Sequence, residues 1–309
     1  NFRGPNGNST VAAPNLPDAL TPATLKQVWK APLGDSFGQF AVAGGKAVVF
    51  IKRDNAQAAL CLDAATGQPL WTHALGKTIK DNQGGDGPRT TPTIDGNRVY
   101  IYGTYMTLFC LDLATGNELW KHDIEAETHC KEPGWGNAAS PVVVGDNVIV
   151  VGAGKGHGIM AFSKQTGQPA WASTDEKLTH ATPTVATIDA QLQVICFMES
   201  GLVSVDPQNG AVLWKFPHRY SISTAASPVV GGKNGNIVYC SAGYGVGAAA
   251  CRVTREGEKW TATELWSTPG KNLSHWATPV CYNGYIYGLF NHNDPKGPLA
   301  CLDIATGKV

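Results

Sequence analysis

Cys61-Leu-Asp-Ala-Ala-Thr-Gly-Gln-Pro-Leu-Trp71 returns further along the chain as Cys110-Leu-Asp-Leu-Ala-Thr-Gly-Asn-Glu-Leu-Trp120. Ala161-Phe-Ser-Lys-Gln-Thr-Gly-Gln-Pro-Ala-Trp171 and Ser204-Val-Asp-Pro-Gln-Asn-Gly-Ala-Val-Leu-Trp214 keep the same frame with substitutions. A fifth copy is reduced to Glu264-Leu265-Trp266, and Cys301-Leu-Asp-Ile-Ala-Thr-Gly-Lys-Val309 stops before its Trp. The marker tryptophans, at 29, 71, 120, 171, 214 and 266, stand between 42 and 52 residues apart. Self-similarity at such a period signals a solenoid, a propeller or an array. Between the markers lie β-branched and aromatic runs such as Arg98-Val-Tyr-Ile-Tyr102 and Asn147-Val-Ile-Val-Val151, which read as strands. Almost nothing reads as a helix.

Each motif position has a structural reason. Asp63, Asp112, Asp206 and Asp303 are placed to bond the backbone of a tight turn. Gly67, Gly116, Gly167, Gly210 and Gly307 supply the positive φ such a turn demands. Trp71, Trp120, Trp171, Trp214 and Trp266 open an outer strand, where a large ring can pack between neighbouring repeats. The motif is therefore structural, and it predicts an all-β propeller of four-stranded antiparallel blades with six repeat units in this chain.

Composition agrees and excludes several functions. With 24 Lys plus Arg against 24 Asp plus Glu and a formal net charge of zero, no long-range field gathers phosphates, which argues against nucleic-acid binding. No apolar run reaches the 18 residues of a membrane-spanning helix. The 36 Gly and 19 Pro suit many tight turns. Cys61, Cys110 and Cys301 share one repeat position and are expected to be buried small hydrophobes. Cys240 and Cys251 fall on neighbouring strands and are the pair expected to bridge, if any does.

The motif also separates this repeat from others of similar period. Gly-His and Trp-Asp pairs do not recur, against WD40, and the Gly pairs at 44, 84 and 231 occupy no constant frame, against kelch. Ala-x-Asp-x-x-Thr-Gly-x-x-x-Trp resembles the repeat of the quinoprotein alcohol-dehydrogenase-like superfamily, whose members can bind pyrroloquinoline quinone (PQQ), and the resemblance covers nearly the whole chain. Asn1-Phe-Arg-Gly-Pro-Asn-Gly7, with Gly87-Pro-Arg-Thr-Thr-Pro-Thr93, is similar to bacterial exported proteins of PQQ-binding-like propeller repeats. The resemblance implies a periplasmic or extracellular protein, and its members usually carry seven or eight blades. The stop inside a motif at Val309 accordingly predicts a truncated ring. In a ring of six, Gln27-Val-Trp-Lys30 would serve as the outer strand of the last blade, leaving 1–26 as an N-terminal extension to a 27–309 propeller.

Alternating strands place the long lead-in loops and the hairpins between the second and third strands on one face, and short turns on the other. Variable loops on a rigid scaffold carry recognition. Arg89, Trp135, His180, Tyr220, His275 and Trp276 are the candidate ligand-binding ring at the channel mouth, with Arg forking onto an acid and Trp stacking on a planar group. The alternative is that they bond and cover the loops themselves, with Arg89 meeting Asp86. His292 and Asp294 fall on the same side. No metal is expected, since His180 and His275 lie on separate blades with no close ligand spacing.

Catalytic residues stay unassigned. The PQQ-dependent alcohol dehydrogenases seat their cofactor between a Trp and a disulfide of adjacent cysteines, beside calcium. This chain has no Cys-Cys pair, and no calcium-binding set can be matched, so its residues do not support PQQ with calcium. Gly243-Tyr-Gly-Val-Gly247 leads into no helix and does not suit a dinucleotide. Two functions of different class follow. One is an exported binding or scaffold module for a protein or polymer partner, as in a related propeller lipoprotein of outer-membrane assembly. The other is a quinoprotein-like oxidoreductase.

Overall fold

A computed structural model describes residues 2–12, 16, 21–81, 83–271, 274–290 and 299–309. Blade 1 is β1 (Ala41–Ala43), β2 (Lys46–Arg53), β3 (Ala56–Asp63) and β4 (Pro69–Lys77). Blade 2 is β5 (Thr93–Asp95), β6 (Arg98–Tyr102), β7 (Thr107–Asp112) and β8 (Glu118–Asp123), followed by the one-turn helix α1 (Ile124–Thr128). Blade 3 is β9 (Val142–Val144), β10 (Asn147–Val151), β11 (Ile159–Ser163) and β12 (Pro169–Ser173). Blade 4 is β13 (Thr184–Ile188), β14 (Gln191–Met198), β15 (Gly201–Val205) and β16 (Val212–Pro217). Blade 5 is β17 (Val229–Gly231), β18 (Ile237–Ala242), β19 (Gly247–Glu256) and β20 (Lys259–Thr268), and blade 6 is β21 (Val280–Tyr282), β22 (Tyr285–Leu289) and β23 (Leu299–Asp303). Every sheet is a meander in sequence order with antiparallel neighbours. No helix among the described residues is long and apolar enough to cross a membrane.

Burial follows position in the blade. Second and third strands lie between two neighbouring blades, so both of their faces are covered and Val48–Ile51 or Val148–Val151 read as unbroken apolar runs. Outer strands have one covered face, and β4 alternates exposed and half-buried along its length. The apolar clusters accordingly straddle blades. Phe50 and Ile101 share one between blades 1 and 2, and Tyr239 and Ile286 share one between blades 5 and 6.

The repeated motif does what its residues imply. Asp63 Oδ1 accepts from the amides of Ala65 and Thr66 and from the Thr66 hydroxyl, and Asp112 repeats this with Ala114 and Thr115. These bonds hold both carboxyls below the usual carboxylate range, the Thr66 hydroxyl contributing most at Asp63 and the Thr115 amide at Asp112. Four of the five Trp then cross to the next blade. Trp71 Nε1 donates to Leu113 O at 3.0 Å, Trp171 to Pro207 O at 3.1 Å and Trp266 to Ile304 O at 2.8 Å. Blade 5 lacks the motif because β19 and β20, ten residues each, run on as one long hairpin turning at Gly257. The preceding Trp214 finds Gln193 Oε1 of its own blade instead, at 2.7 Å.

Three expectations need correction. Residues 27–30 form no ladder with β23, so blade 6 has three strands among the described residues. Trp29 nonetheless takes the marker position against blade 1, its Nε1 donating to Ala64 O at 3.0 Å. Cys240 and Cys251 do not bridge, since Cys240 stands opposite Ala249 and Cys251 opposite Val238, and all eight cysteines are free thiols. Of the three repeat-position cysteines, Cys61 and Cys110 are buried and Cys301 half-buried.

Candidate functional site

A Ser/Thr-Pro pair leads each inner strand from blade 2 to blade 6, and four of the five hydroxyls, all but that of Ser227, accept across a blade boundary. Gln39 N donates to Thr91 Oγ1 at 3.0 Å, Thr91 N to Ser140 Oγ at 2.9 Å, Ser140 N to Thr182 Oγ1 at 2.9 Å and Ser227 N to Thr278 Oγ1 at 2.9 Å. The hydroxyls of Thr93 and Thr184 donate to Pro141 O and Pro228 O of the following blades, both at 2.7 Å. This belt gives otherwise orphaned lead-in amides a partner, which buried backbone donors require.

Blade 1 has Gln39-Phe40 where the others have Ser/Thr-Pro, and the N-terminal turn covers that seam. Arg3 N reaches Gln39 Oε1 at 3.5 Å, and Arg3 Nη2 donates to Pro279 O of blade 6 at 2.9 Å. Residues 2–7 of the expected extension thereby face inner-strand residues of blades 2 to 5, among them Thr93, Val142 and Thr184.

Above this belt, the six expected ring residues lie along an arc of linked lead-in loops. Arg89 pairs with Asp81 rather than Asp86, Nη2 to Oδ2 at 2.7 Å, and covers the Phe37 ring at 5.3 Å. Asp86 is taken by Lys52 at 2.9 Å. Trp135 Nε1 donates to Gln83 Oε1 at 3.3 Å across a loop boundary. His180 is 8% exposed, its Nε2 donates to Gly134 O at 2.8 Å, and its amide donates to Thr224 O at 2.9 Å. Burial holds the His180 imidazole below its ordinary value.

The arc continues through blades 5 and 6. His275 Nδ1 accepts from Gly243 N at 3.0 Å, which leaves Nε2 to donate to Ser223 Oγ at 3.3 Å. Trp276 Nε1 donates to the same Ser223 Oγ at 3.4 Å. The Tyr244 and Trp276 rings each stand 4.8 Å from the His275 ring, and both are 57% exposed. Tyr220 is partly exposed, and burial followed by the Glu199 carboxylate raises its phenol. Arg89, His180 and His275 are therefore engaged with loop groups, whereas Tyr220 and Trp276 present rings to solvent. His292 and Asp294 lie outside the described residues. Sequence reasoning missed Arg3 and Ser223, whose partners come from other loops or other blades, and Asp81, whose partner Arg89 lies in its own lead-in loop.

A family model described as Outer membrane protein assembly factor BamB matches residues 16–100 and 57–309. The chain belongs to that family. Among solved structures, BamB from Moraxella catarrhalis is 20% identical with a TM-score of 0.58, the match covering 88% of this chain and 75% of that one. A europium-containing methanol dehydrogenase is 13% identical with a TM-score of 0.59, covering 91% of this chain and 71% of that one. These two likenesses show the fold. No curated protein matches the chain.

The PQQ-like repeat of this BamB-family propeller raises the question of the quinone. A PQQ seat of the dehydrogenase type does not fit the residues present. No two cysteines are adjacent, the N-terminal turn takes up channel space, and no group of three His, Cys, Asp or Glu among the described residues is placed to hold a metal.

Proposed function

We propose that this chain is an exported propeller that binds a protein or polymer partner through its lead-in-loop face. The reading rests on one observation: Tyr244 and Trp276, each 57% exposed, stand against the buried His275, with Ser223 bonding His275 and Trp276 and the equally exposed Ile222 preceding Ser223 in the chain. An exposed apolar patch rimmed by polar groups marks an interaction site, and aromatic anchors dominate binding energy. Tyr220 extends the patch, while Arg89, Trp135, His180 and His275 act as the brace that keeps the loops in one arrangement. Membership of the BamB family supports a protein partner and an exported location.

A photo-crosslinking residue placed at Trp276 or Tyr244, with Gly145 on the opposite face as control, tests this in the producing cell. Adducts from the first two positions and none from the third are expected. Equal adducts from all three, or none, would remove the reading. A saturable absorbance shift on adding PQQ with calcium, lost in Trp276→Ala and Arg89→Ala, would replace it with the quinoprotein reading.

A further inference from the structure

His122, near the end of β8, reaches two neighbouring elements at once. Its Nδ1 stands 3.0 Å from both carboxylate oxygens of Glu127 in α1, and its Nε2 stands 2.6 Å from the carbonyl oxygen of Gly167 in the motif turn of blade 3. The Phe162 ring of blade 3 lies 4.4 Å from the imidazole at 31°, and the Trp120 ring lies 5.9 Å away. The His122 side chain is 18% exposed, so these contacts are partly shielded from water. One side chain thereby ties the outer strand of blade 2 to the helix that follows it and to the turn of the next blade. His73 holds the same place after Trp71, but no helix follows blade 1 among the described residues.

Both contacts demand a proton. Carbonyl and carboxylate oxygens only accept, so each ring nitrogen must donate, and an imidazole with both nitrogens protonated is the cation. Either neutral tautomer sets a bare nitrogen lone pair against an oxygen: that of Glu127 if Nε2 keeps the proton, that of Gly167 if Nδ1 keeps it. The arrangement therefore belongs to the charged imidazolium, and no choice of tautomer removes the conflict in the neutral ring. Glu127 is the charge that faces it. Of the other titratable groups on the elements packed here, Asp123 caps α1 through the Ala126 amide and His129 ends the helix as its C-cap. Glu125 lies against Glu132, Lys121 pairs with Glu118, and Lys164 pairs with Asp95.

We propose that His122 is a proton-operated latch: protonated, it fastens α1 to the junction of blades 2 and 3, and deprotonated, it lets the helix go. Histidine is the side chain whose charge ordinarily changes between about pH 5 and pH 8. The latch is made by taking up a proton, so α1 is held in acid and loosens as pH rises. That sign is opposite to the effect of His180, which burial keeps neutral. Release is local, because Ile124 at the root of α1 is fully buried and its amide bonds Met106 O. The helix opens the lead-in loop that carries Gly134 and Trp135, so that loop is the part of the face whose entry the latch sets. The device rests on these contacts alone and on no partner at the loop face.

Amide hydrogen exchange of the full chain, read by mass spectrometry at about pH 5.5 and about pH 8, tests the latch across the range in which histidine titrates. Rates are taken relative to those of unstructured amides, which themselves climb with pH. Peptides covering Ile124–Thr128 should be about five-fold better protected in acid, the scale of one partly exposed ion pair with its hydrogen bonds. Glu127→Gln replaces the carboxylate by an amide that accepts from a protonated Nδ1 and donates to a bare one, so its protection should be equal at the two pH values. His122→Phe keeps a ring against Phe162 and Trp120 without the nitrogens, and should show the lower protection at both. Should His122→Phe fail to fold, the parent and Glu127→Gln decide, since Glu127 is 45% exposed. Parent protection that is equal at both pH values or greater at pH 8, or a difference as large in Glu127→Gln as in the parent, would each overturn the latch.

Discussion

The indole of Trp71 lies flat against the α-carbon of Gly116 in the next blade, 2.6 Å from where a Cβ would stand, while its Nε1 holds Leu113 O of the same turn. Trp29 on Gly67, Trp120 on Gly167, Trp171 on Gly210 and Trp266 on Gly307 repeat the contact. The blades share no strand ladder, and these five junctions depend on a turn with no side chain at this one point.

Gly116→Ala should therefore destabilise the protein through two effects. Its φ of 75° is disfavoured for any residue with a Cβ, at about 1–3 kcal/mol, and the new methyl would displace the Trp71 ring, at about another 1–3 kcal/mol. Gly96, with φ 57° and open space within 4 Å of the point a Cβ would occupy, isolates the first effect. Urea denaturation should show Gly116→Ala shifting the midpoint well beyond Gly96→Ala; equal shifts would mean that the ring contact contributes nothing.

The tryptophans differ in their indole N–H groups. Trp71 donates to Leu113 O, but Trp120 Nε1 is buried without a partner. Phe in place of Trp removes a bond in the first case and an unsatisfied donor in the second. Trp71→Phe should cost about 1 kcal/mol more than Trp120→Phe, read from the same denaturation curves.

Two histidines, the buried His180 and the half-buried His218, set an acid limit. Burial lowers the folded values of His180 and His218 below 6.5, with Gly134 O and Gly247 opposing it only in part. Below pH 6.5 the unfolded chain takes up protons that the folded chain refuses. Their contribution to stability is complete above pH 6.5 and is lost as pH falls toward the lowered folded values. Denaturation midpoints should hold between pH 8 and 7 and decline from pH 6.5 to 5. His180→Gln, which keeps a donor for Gly134 O, should decline less steeply.

Blades were legible in the sequence because each motif residue acts within its own turn or on the adjoining repeat. Asp63, Gly67 and Trp71 need no knowledge of the whole ring to be assigned roles. The lead-in loops were less legible, because their pairings depend on which loop reaches which. Asp86 is nearest to Arg89 in sequence among the acids, but Lys52 from the adjoining hairpin claims it, and Arg89 turns to Asp81. Residues 2–9 were hardest: Arg3 contacts Gln39 and Pro279, 36 and 276 residues away. No periodicity records such contacts. The one available signal was a departure from the pattern, Gln39-Phe40 where five other inner strands begin with Ser/Thr-Pro.

That departure leaves Gln39 of blade 1 and Pro279 of blade 6 joined through Arg3 rather than by an amide-to-hydroxyl bond, and makes residues 2–9 the fastener there. At four other junctions an amide and a hydroxyl join the blades directly, as at Thr91 and Ser140; here Arg3 stands between Gln39 and Pro279. Removing residues 2–9 should expose Val142 and Val185 to water and leave Gln39 and Pro279 without their link, while the Thr91, Ser140 and Thr182 bonds stay intact. Amide exchange should then speed up by about ten-fold or more in Gln39–Ala43 and Val280–Tyr282 and change little in Val148–Val151, since local opening follows local loss of contacts. Uniform acceleration across all blades would show instead that the ring opens as one unit and that the N-terminal turn stabilises it globally.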